Sequence, residues 1–199
     1  MAKLYFHYSS MNAGKSTALL QANHNYGERG MKTMLFTSSV DTRKAVGLIR
    51  SRIGIEQKAH LFDSETNLLE MFRNLKPRSP IGCILIDEAQ FLTKRQVEQI
   101  CRVVDEEGVP VLTYGIRTDF LGETFEGSRY LMAWADEIKE IKTICHCGKK
   151  ATMNARVDSF GKMETEGDQI EIGGNERYVS VCRNCFRNAI TNPIKSLED

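Results

Sequence analysis

The stretch Ser9-Ser10-Met11-Asn12-Ala13-Gly14-Lys15-Ser16-Thr17 constrains the fold of this 199-residue chain more than any other. It follows directly on an apolar, strand-like run, Leu4-Tyr5-Phe6-His7-Tyr8. It then opens a helical pattern from Ser16 to about Tyr26, with Leu19, Leu20 and Tyr26 apolar and Gly27 and Gly30 as stop signals. The pattern G-x-x-x-x-G-K-[ST] fits from Ser9 to Ser16, with Ser9 in place of the first glycine. A loop of this kind points backbone N–H groups at an anion, at the start of a helix whose dipole favours negative charge. Gly14 permits close approach, Lys15 can reach the terminal phosphates of a nucleotide, and the Ser16 hydroxyl can meet Mg²⁺. A Gly-Lys-Ser tripeptide alone is commonplace in turns; its place between a strand and a helix gives it meaning.

The rest of the N-terminal three quarters alternates apolar runs with helical patterns, which predicts an α/β fold with a mostly parallel sheet. Strands are expected at 33–37, 81–86, 109–116 and 138–144, and helices at 64–75 and 128–135. The best-signalled helix begins at Thr93, which forms a capping-box pair with Gln96, and buries Val97, Ile100, Cys101 and Val104 before Gly108 ends it. Residues 38–60 lack periodicity and cluster Arg43, Lys44, Arg50 and Arg52, so they read as a long loop. Beyond Cys145 the sequence turns glycine-rich and polar, which puts a domain boundary near Thr143: a core at 1–143 and a small lobe at 144–199.

The strand Ile84-Leu85-Ile86 ends in Asp87-Glu88. Acidic residues after a strand are often only a solvated turn. In a fold with a phosphate loop, however, that strand end faces the metal and the γ-phosphate. Asp87 there would hold Mg²⁺, and Glu88 could act as general base toward the attacking oxygen. The pair does not decide whether that oxygen belongs to water, as in an ATPase, or to a substrate hydroxyl, as in a kinase.

With 27 Lys+Arg against 26 Asp+Glu the net charge is +1, which argues against a strongly basic nucleic-acid clamp. No apolar run approaches the length of a membrane span, and Met1-Ala2-Lys3 shows no signal region, so a cytoplasmic protein is expected. In that compartment the six cysteines read as metal ligands or buried residues rather than disulfides. Cys83 and Cys101 sit among apolar neighbours as core residues. Cys145-His146-Cys147-Gly148 and Cys182-Arg183-Asn184-Cys185 form two ligand pairs, the arrangement of a closed structural Zn²⁺ site. His146 could replace one sulfur as ligand. Between the pairs, Gly173-Gly174 is either a hairpin turn or a place where backbone approaches a small ligand.

Together these pieces resemble the tetrameric, zinc-containing (type II) thymidine kinases, in their bacterial form, over almost the whole chain. The loop Ser9 to Ser16 is similar to the family's phosphate loop, and Asp87-Glu88-Ala89-Gln90-Phe91 resembles its D-E-x-Q-F signature. Thr118-Asp119-Phe120, Phe125, the paired cysteines and Ile172-Gly173-Gly174-Asn175-Glu176-Arg177-Tyr178 follow in the family's order. The resemblance implies a P-loop, RecA-like core with a zinc-ribbon-like lobe carrying a lasso loop. It also implies transfer of phosphate from ATP, with Mg²⁺, to the 5′-hydroxyl of thymidine or deoxyuridine in nucleotide salvage. By the same resemblance Glu88 is the general base. ATP is held by Ser9, Ser10, Met11, Asn12, Ala13, Gly14, Lys15 and Ser16, by Asp41-Thr42-Arg43, and by Asp87, Glu88, Ala89 and Gln90. The nucleoside falls to Met11, Phe91, Phe120, Phe125 and Tyr178, with Ile170, Glu171, Ile172 and Gly173 as the lasso; Cys145, Cys147, Cys182 and Cys185 hold zinc. A homotetramer and feedback inhibition by dTTP are implied as well.

Two other classes share features with this reading. Asp87-Glu88-Ala89-Gln90 also resembles the acidic box of helicase-type ATPases, but the residues after Thr143 are too few for the second motor domain such enzymes need. A nucleic-acid-binding zinc ribbon would show a basic excess at 144–199, where charges instead balance.

Overall fold

The structure is a computed structural model describing residues 1–40, 47–75, 80–170, 177–190 and 194. The expected triplet Asp41-Thr42-Arg43 and the lasso residues Glu171, Ile172 and Gly173 lie outside the described residues.

Six parallel strands form the central sheet. They are β1 (Leu4–Ser9), β2 (Lys32–Ser38), β5 (His60–Phe62), β6 (Ile81–Ile86), β7 (Val111–Ile116) and β8 (Glu137–Glu140), in the order β5-β2-β6-β7-β1-β8. Parallel strands need crossovers, and helices supply them. On one face lies α1 (Lys15–Glu28), burying Leu19 and Leu20 against Leu35, Cys83, Leu85 and Tyr114. On the other lie α2 (Leu68–Leu75), α3 (Lys94–Glu107) and α4 (Glu126–Trp134), packed on Phe6, Met34, Phe36, Ile84 and Ile86. Alternate residues of one strand, Cys83 and Leu85 against Ile84 and Ile86, thus serve opposite layers. This is why the central strands read as unbroken apolar runs.

The sequence expectations for these elements hold to within a few residues at their ends, and four departures have local causes. Residues 38–60 contain a hairpin of β3 (Leu48–Arg50) and β4 (Glu56–Lys58), followed by the edge strand β5. Strands of three residues, one of them wholly exposed, leave no hydrophobic alternation to read. The helix expected from Ser64 starts at Leu68, because Asp63 Oδ1 accepts from Glu65 N, Thr66 N and Thr66 Oγ1 and holds a turn there. The expected strand 138–144 divides into β8 and β9 (Thr143–Ile144). The fourth departure is a short helix, α5 (Arg183–Ala189), capped by Cys182.

After Thr143 a separate cluster of buried residues forms from Cys145, Ala151, Ala155, Met163, Val181, Cys182, Phe186, Ala189 and Ile194. Its frame is two small antiparallel pairs, β9 with β10 (Lys150–Ala151) and β11 (Met153–Arg156) with β12 (Tyr178–Val181).

The capping box at α3 forms as expected: Gln96 N donates to Thr93 Oγ1 at 3.3 Å and Thr93 N to Gln96 Oε1 at 3.0 Å. Gln96 Nε2 also donates to the carbonyls of Asp63 (2.6 Å) and Thr66 (3.0 Å), pinning the turn before α2. At the start of α4 the backbone comes closer to its neighbour than any side chain would allow. A Cβ on Gly127 would stand 2.5 Å from Ala89 O, 2.7 Å from Leu92 O and 2.9 Å from Gln90 O. Gly127→Ala should therefore destabilise the fold by about 2–3 kcal/mol. Gly27→Ala, in α1 with open space around it, should stabilise it by about 0.5–1 kcal/mol. Urea unfolding of the two variants measures both, and equal effects would disprove the close-approach account.

Candidate active site

The loop between β1 and α1 takes the shape the sequence demands. Gly14 adopts φ 85° and Asn12 φ 62°, the latter a non-glycine residue in the left-handed region. Lys15 Nζ donates to Ser9 Oγ (3.0 Å) and to the Ser10 carbonyl (3.1 Å), so the ammonium is folded over its own loop. Burial lowers the Lys15 pKa; the carboxylates of Glu88 and Asp87 oppose that shift, and Arg52 adds to it. Ser9 and Ser10 are themselves buried.

Asp87 and Glu88 follow β6, which is separated from β1 by β7 alone. Asp87 is buried, and its Oδ2 accepts from Ser16 Oγ at 2.9 Å. A hydroxyl and a carboxylate at that spacing are hard oxygen donors suited to Mg²⁺. Glu88 sits at φ 54°, again in the left-handed region, where backbone cost is tolerated because the surroundings fix it. Its Oε2 accepts from Gln90 Nε2 at 2.7 Å, while Gln90 Oε1 accepts from Ile116 N at 3.2 Å, tying the acidic turn to β7.

One cavity of about 420 Å³ joins these groups. It is lined by Met11, Asn12, Ala13, Gly14, Lys15, Ser16, Glu88, Gln90, Phe91, Phe120, Phe125, Ile170 and Tyr178, all of them expected from the sequence. Ser9, Ser10, Asp87 and Ala89, also expected from the sequence, are buried behind this lining rather than in it, Ala89 within the main core. The aromatic end is firmly built. Phe91 and Phe125 meet edge-on (centroids 5.8 Å apart, planes at 84°), and the Arg156 guanidinium stands 3.6 Å from the Phe120 ring centroid.

Several wall residues have polar contacts that nothing in the sequence indicates, although the resemblance includes Asp119. Asp119 Oδ1 accepts from Leu121 N and Glu123 N, both at 2.9 Å, and its Oδ2 accepts from Gln169 Nε2 at 2.8 Å, which fixes the chain just before Ile170. Asn154 Oδ1 accepts from Met11 N at 2.7 Å, and its Nδ2 donates to Thr118 O at 2.9 Å. Arg50, Ser51, Arg52 and Ile53, from the β3–β4 hairpin, close another side of the cavity. The basic clustering at 38–60 marked Arg50 and Arg52 in advance, but a lone Asn on a strand, as at Asn154, carries no such mark.

The four expected cysteines meet, with all their sulfurs within 4.8 Å of one another. Cys147 Sγ lies 3.5 Å from Cys145 Sγ and 3.6 Å from Cys182 Sγ. Four thiolates bound tetrahedrally at a Zn–S distance near 2.3 Å would stand about 3.8 Å apart, so the donor set fits zinc. His146 is exposed, its Nδ1 3.8 Å from Cys145 Sγ, and the ring stands outside the four-sulfur group. The Cys185 amide lowers the pKa of the Cys182 thiol, while burial and the neighbouring sulfurs raise that of Cys185. Gly148, at φ 81°, donates its amide to the Cys145 carbonyl at 2.8 Å and closes the first knuckle.

A family model described as Thymidine kinase matches residues 2–186. The thymidine kinase of Yersinia pseudotuberculosis is 58% identical over 190 residues, which cover 96% of this chain and 97% of that relative. That of Photorhabdus laumondii is 54% identical over 199 residues, covering 100% and 99%. That of Vibrio cholerae is 56% identical over 190 residues, covering 96% and 99%.

Cys182→Ser should remove most bound zinc, measured per chain by atomic absorption, and cost on the order of 4 kcal/mol in urea unfolding. Cys101→Ser, outside the cluster, should keep the zinc. Full zinc retention by Cys182→Ser would rule out a four-sulfur site.

Proposed function

The chain belongs to the thymidine kinase family, and on that basis we propose that it transfers the γ-phosphate of ATP to the 5′-hydroxyl of thymidine. The observation that carries the reading is a single cavity with a phosphate loop and a carboxylate at one end and an aromatic cluster at the other.

In this reading the backbone of Ser9 to Ser16 cradles the ATP phosphates at the start of α1, and Asp41-Thr42-Arg43 contributes to holding them. Ser16 and Asp87 would hold Mg²⁺, which neutralises phosphate charge when bound. Gln90 lines that side and holds Glu88 through its amide, while Ala89 packs in the core behind it. Lys15 leaves its loop oxygens for the β- and γ-phosphates; its partial burial strengthens that attraction. Phe91, Phe120, Phe125, Met11 and Tyr178 hold the nucleoside, with Ile170, Glu171, Ile172 and Gly173 closing over the base through backbone groups. Glu88 accepts the 5′-hydroxyl proton as that oxygen bonds to the γ-phosphorus. The bond from the γ-phosphorus to the bridging oxygen breaks, and ADP leaves. Most of the acceleration comes from positioning and fixed charge.

Residues 1–143 form the kinase core in this proposal, and 144–199 a lobe held by Zn²⁺ on Cys145, Cys147, Cys182 and Cys185. Deoxyuridine as a second substrate, nucleotide salvage in the cytoplasm, a homotetramer and inhibition by dTTP belong to the same proposal, by extension from the family. Among the described residues no helix is long and apolar enough to cross a membrane.

Labelled ATP with Mg²⁺ and a nucleoside panel, with single-stranded DNA added in parallel, tests the reading. Rapid 5′-phosphorylation of thymidine supports it, and ATP hydrolysis stimulated only by DNA overturns it. Glu88→Gln should lower kcat by about 10²–10⁴-fold while ATP binding, followed by calorimetry, stays near wild type. Loss of ATP binding in that variant would contradict the assigned role.

A further inference from the structure

The phosphate loop and the cysteine cluster are joined by one small hairpin. Asn154 of β11 and Ser180 of β12 face each other in register. Between them they take both polar groups of the Met11 backbone: its N–H donates to Asn154 Oδ1 at 2.7 Å, and its carbonyl accepts from Ser180 Oγ. Asn154 is 2% exposed, and it also ties Thr118 beside Phe120. The next loop residue is Asn12, one of two non-glycine residues with positive φ among those described. Such a conformation costs about 1–3 kcal/mol and persists only where its surroundings over-determine it. The grip on Met11 is what fixes the backbone leading into it.

The other end of the hairpin is anchored at the sulfurs. Ser180 precedes Val181 and Cys182, and the Cys182 side chain caps α5. Thr152 N donates to Val181 O at 2.9 Å, and β10 leads back through β9 to Cys145, whose amide donates to Lys149 O at 2.8 Å. Ala151, Ala155 and Val181 share one buried cluster with Cys145 and Cys182. A change in how the four sulfurs are held therefore reaches Met11 through a short, hydrogen-bonded, packed path.

We propose that Asn154 and Ser180 are positioning residues that couple the metal cluster to the phosphate loop, so that nucleotide binding and zinc affinity strengthen each other. The inference rests on the assignment of ATP to the loop and zinc to the cysteines. Coupling of this kind is reciprocal: whatever factor nucleotide adds to zinc affinity, zinc adds to nucleotide affinity.

The test is equilibrium competition for zinc between the full-length protein and a chelator, with and without a saturating, Mg²⁺-loaded, non-hydrolysable ATP analogue. The wild type should hold zinc about 5–50-fold more tightly with the analogue present. In Asn154→Ala and in Ser180→Ala that ratio should fall below about 2-fold, with KM for ATP rising more than kcat falls; Ser180→Thr, which keeps the hydroxyl, should restore it. General destabilisation would weaken zinc binding equally in both arms and leave the ratio unchanged. Should Asn154→Ala not fold, the wild-type ratio and the Ser180 pair decide. A wild-type ratio near one, or a full ratio in Ser180→Ala, overturns the coupling while leaving the kinase reading intact. Failure to bind zinc or nucleotide at all overturns that reading and the coupling with it.

Discussion

Strand β7 is the member on which the site depends. It pairs in parallel with β1 on one side and β6 on the other, so that Val111 stands beside both Leu4 and Ile84, and Thr113 beside both Phe6 and Ile86. One strand thus sets the relative height of the two segments to which the proposal assigns the chemistry, the loop after β1 and the acidic pair after β6. Burial of both faces makes that register firm, since a slip of one residue would turn every apolar side chain to the wrong layer. The 2.9 Å approach of Ser16 Oγ to Asp87 follows from it. Neither residue is near the other in sequence, and no local force brings them together.

What could be read from the sequence follows the same division between local and non-local order. The phosphate loop, the Asp87-Glu88 strand end, the Thr93 capping box and the cysteine pairs are each written into a few adjacent residues, and all take the expected shape. The β3–β4 hairpin was not legible because its strands are short and β4 is exposed, so burial imposes no pattern on them. The partners of Asp119, which the resemblance includes, and the roles of Asn154 and Ser180 were not legible for a different reason. Each is a single polar residue whose partner lies on another element: Gln169 for Asp119, and Met11 for the other two. Hydrogen-bond capacity is visible in a sequence, but its use is decided by tertiary structure.

Backbone strain is concentrated at the cavity. Asn12 and Glu88 take conformations that ordinary residues avoid, and each is held by polar contacts from elsewhere, Asn12 through the grip on neighbouring Met11 and Glu88 through Gln90. A phosphate loop made rigid in advance spends less of its ligand's binding energy on ordering. The Arg156 network extends this rigidity to the aromatic wall. Buried against Phe120, Arg156 pairs with Glu164 at 2.5 Å and donates to the Asp168 carbonyl at 3.0 Å; Arg177 pairs with the same Glu164. The segment running toward Ile170 is thereby laced to the ring it adjoins.

The bare contact at Gly127 bears on how the pocket could be re-engineered. Phe91 and Phe125 lie on the two partners of that contact, one at the end of the 89–91 turn and the other capping α4. With only backbone between those partners, the spacing of the two rings is set by main-chain atoms and offers no side chain to trim. If this end takes the base, as proposed, widening it beside Phe91 and Phe125 would have to come from the rings themselves or from other lining side chains such as Ile116 and Thr118. The backbone contact at Gly127 thus takes one adjustable distance out of the pocket's reach for selection.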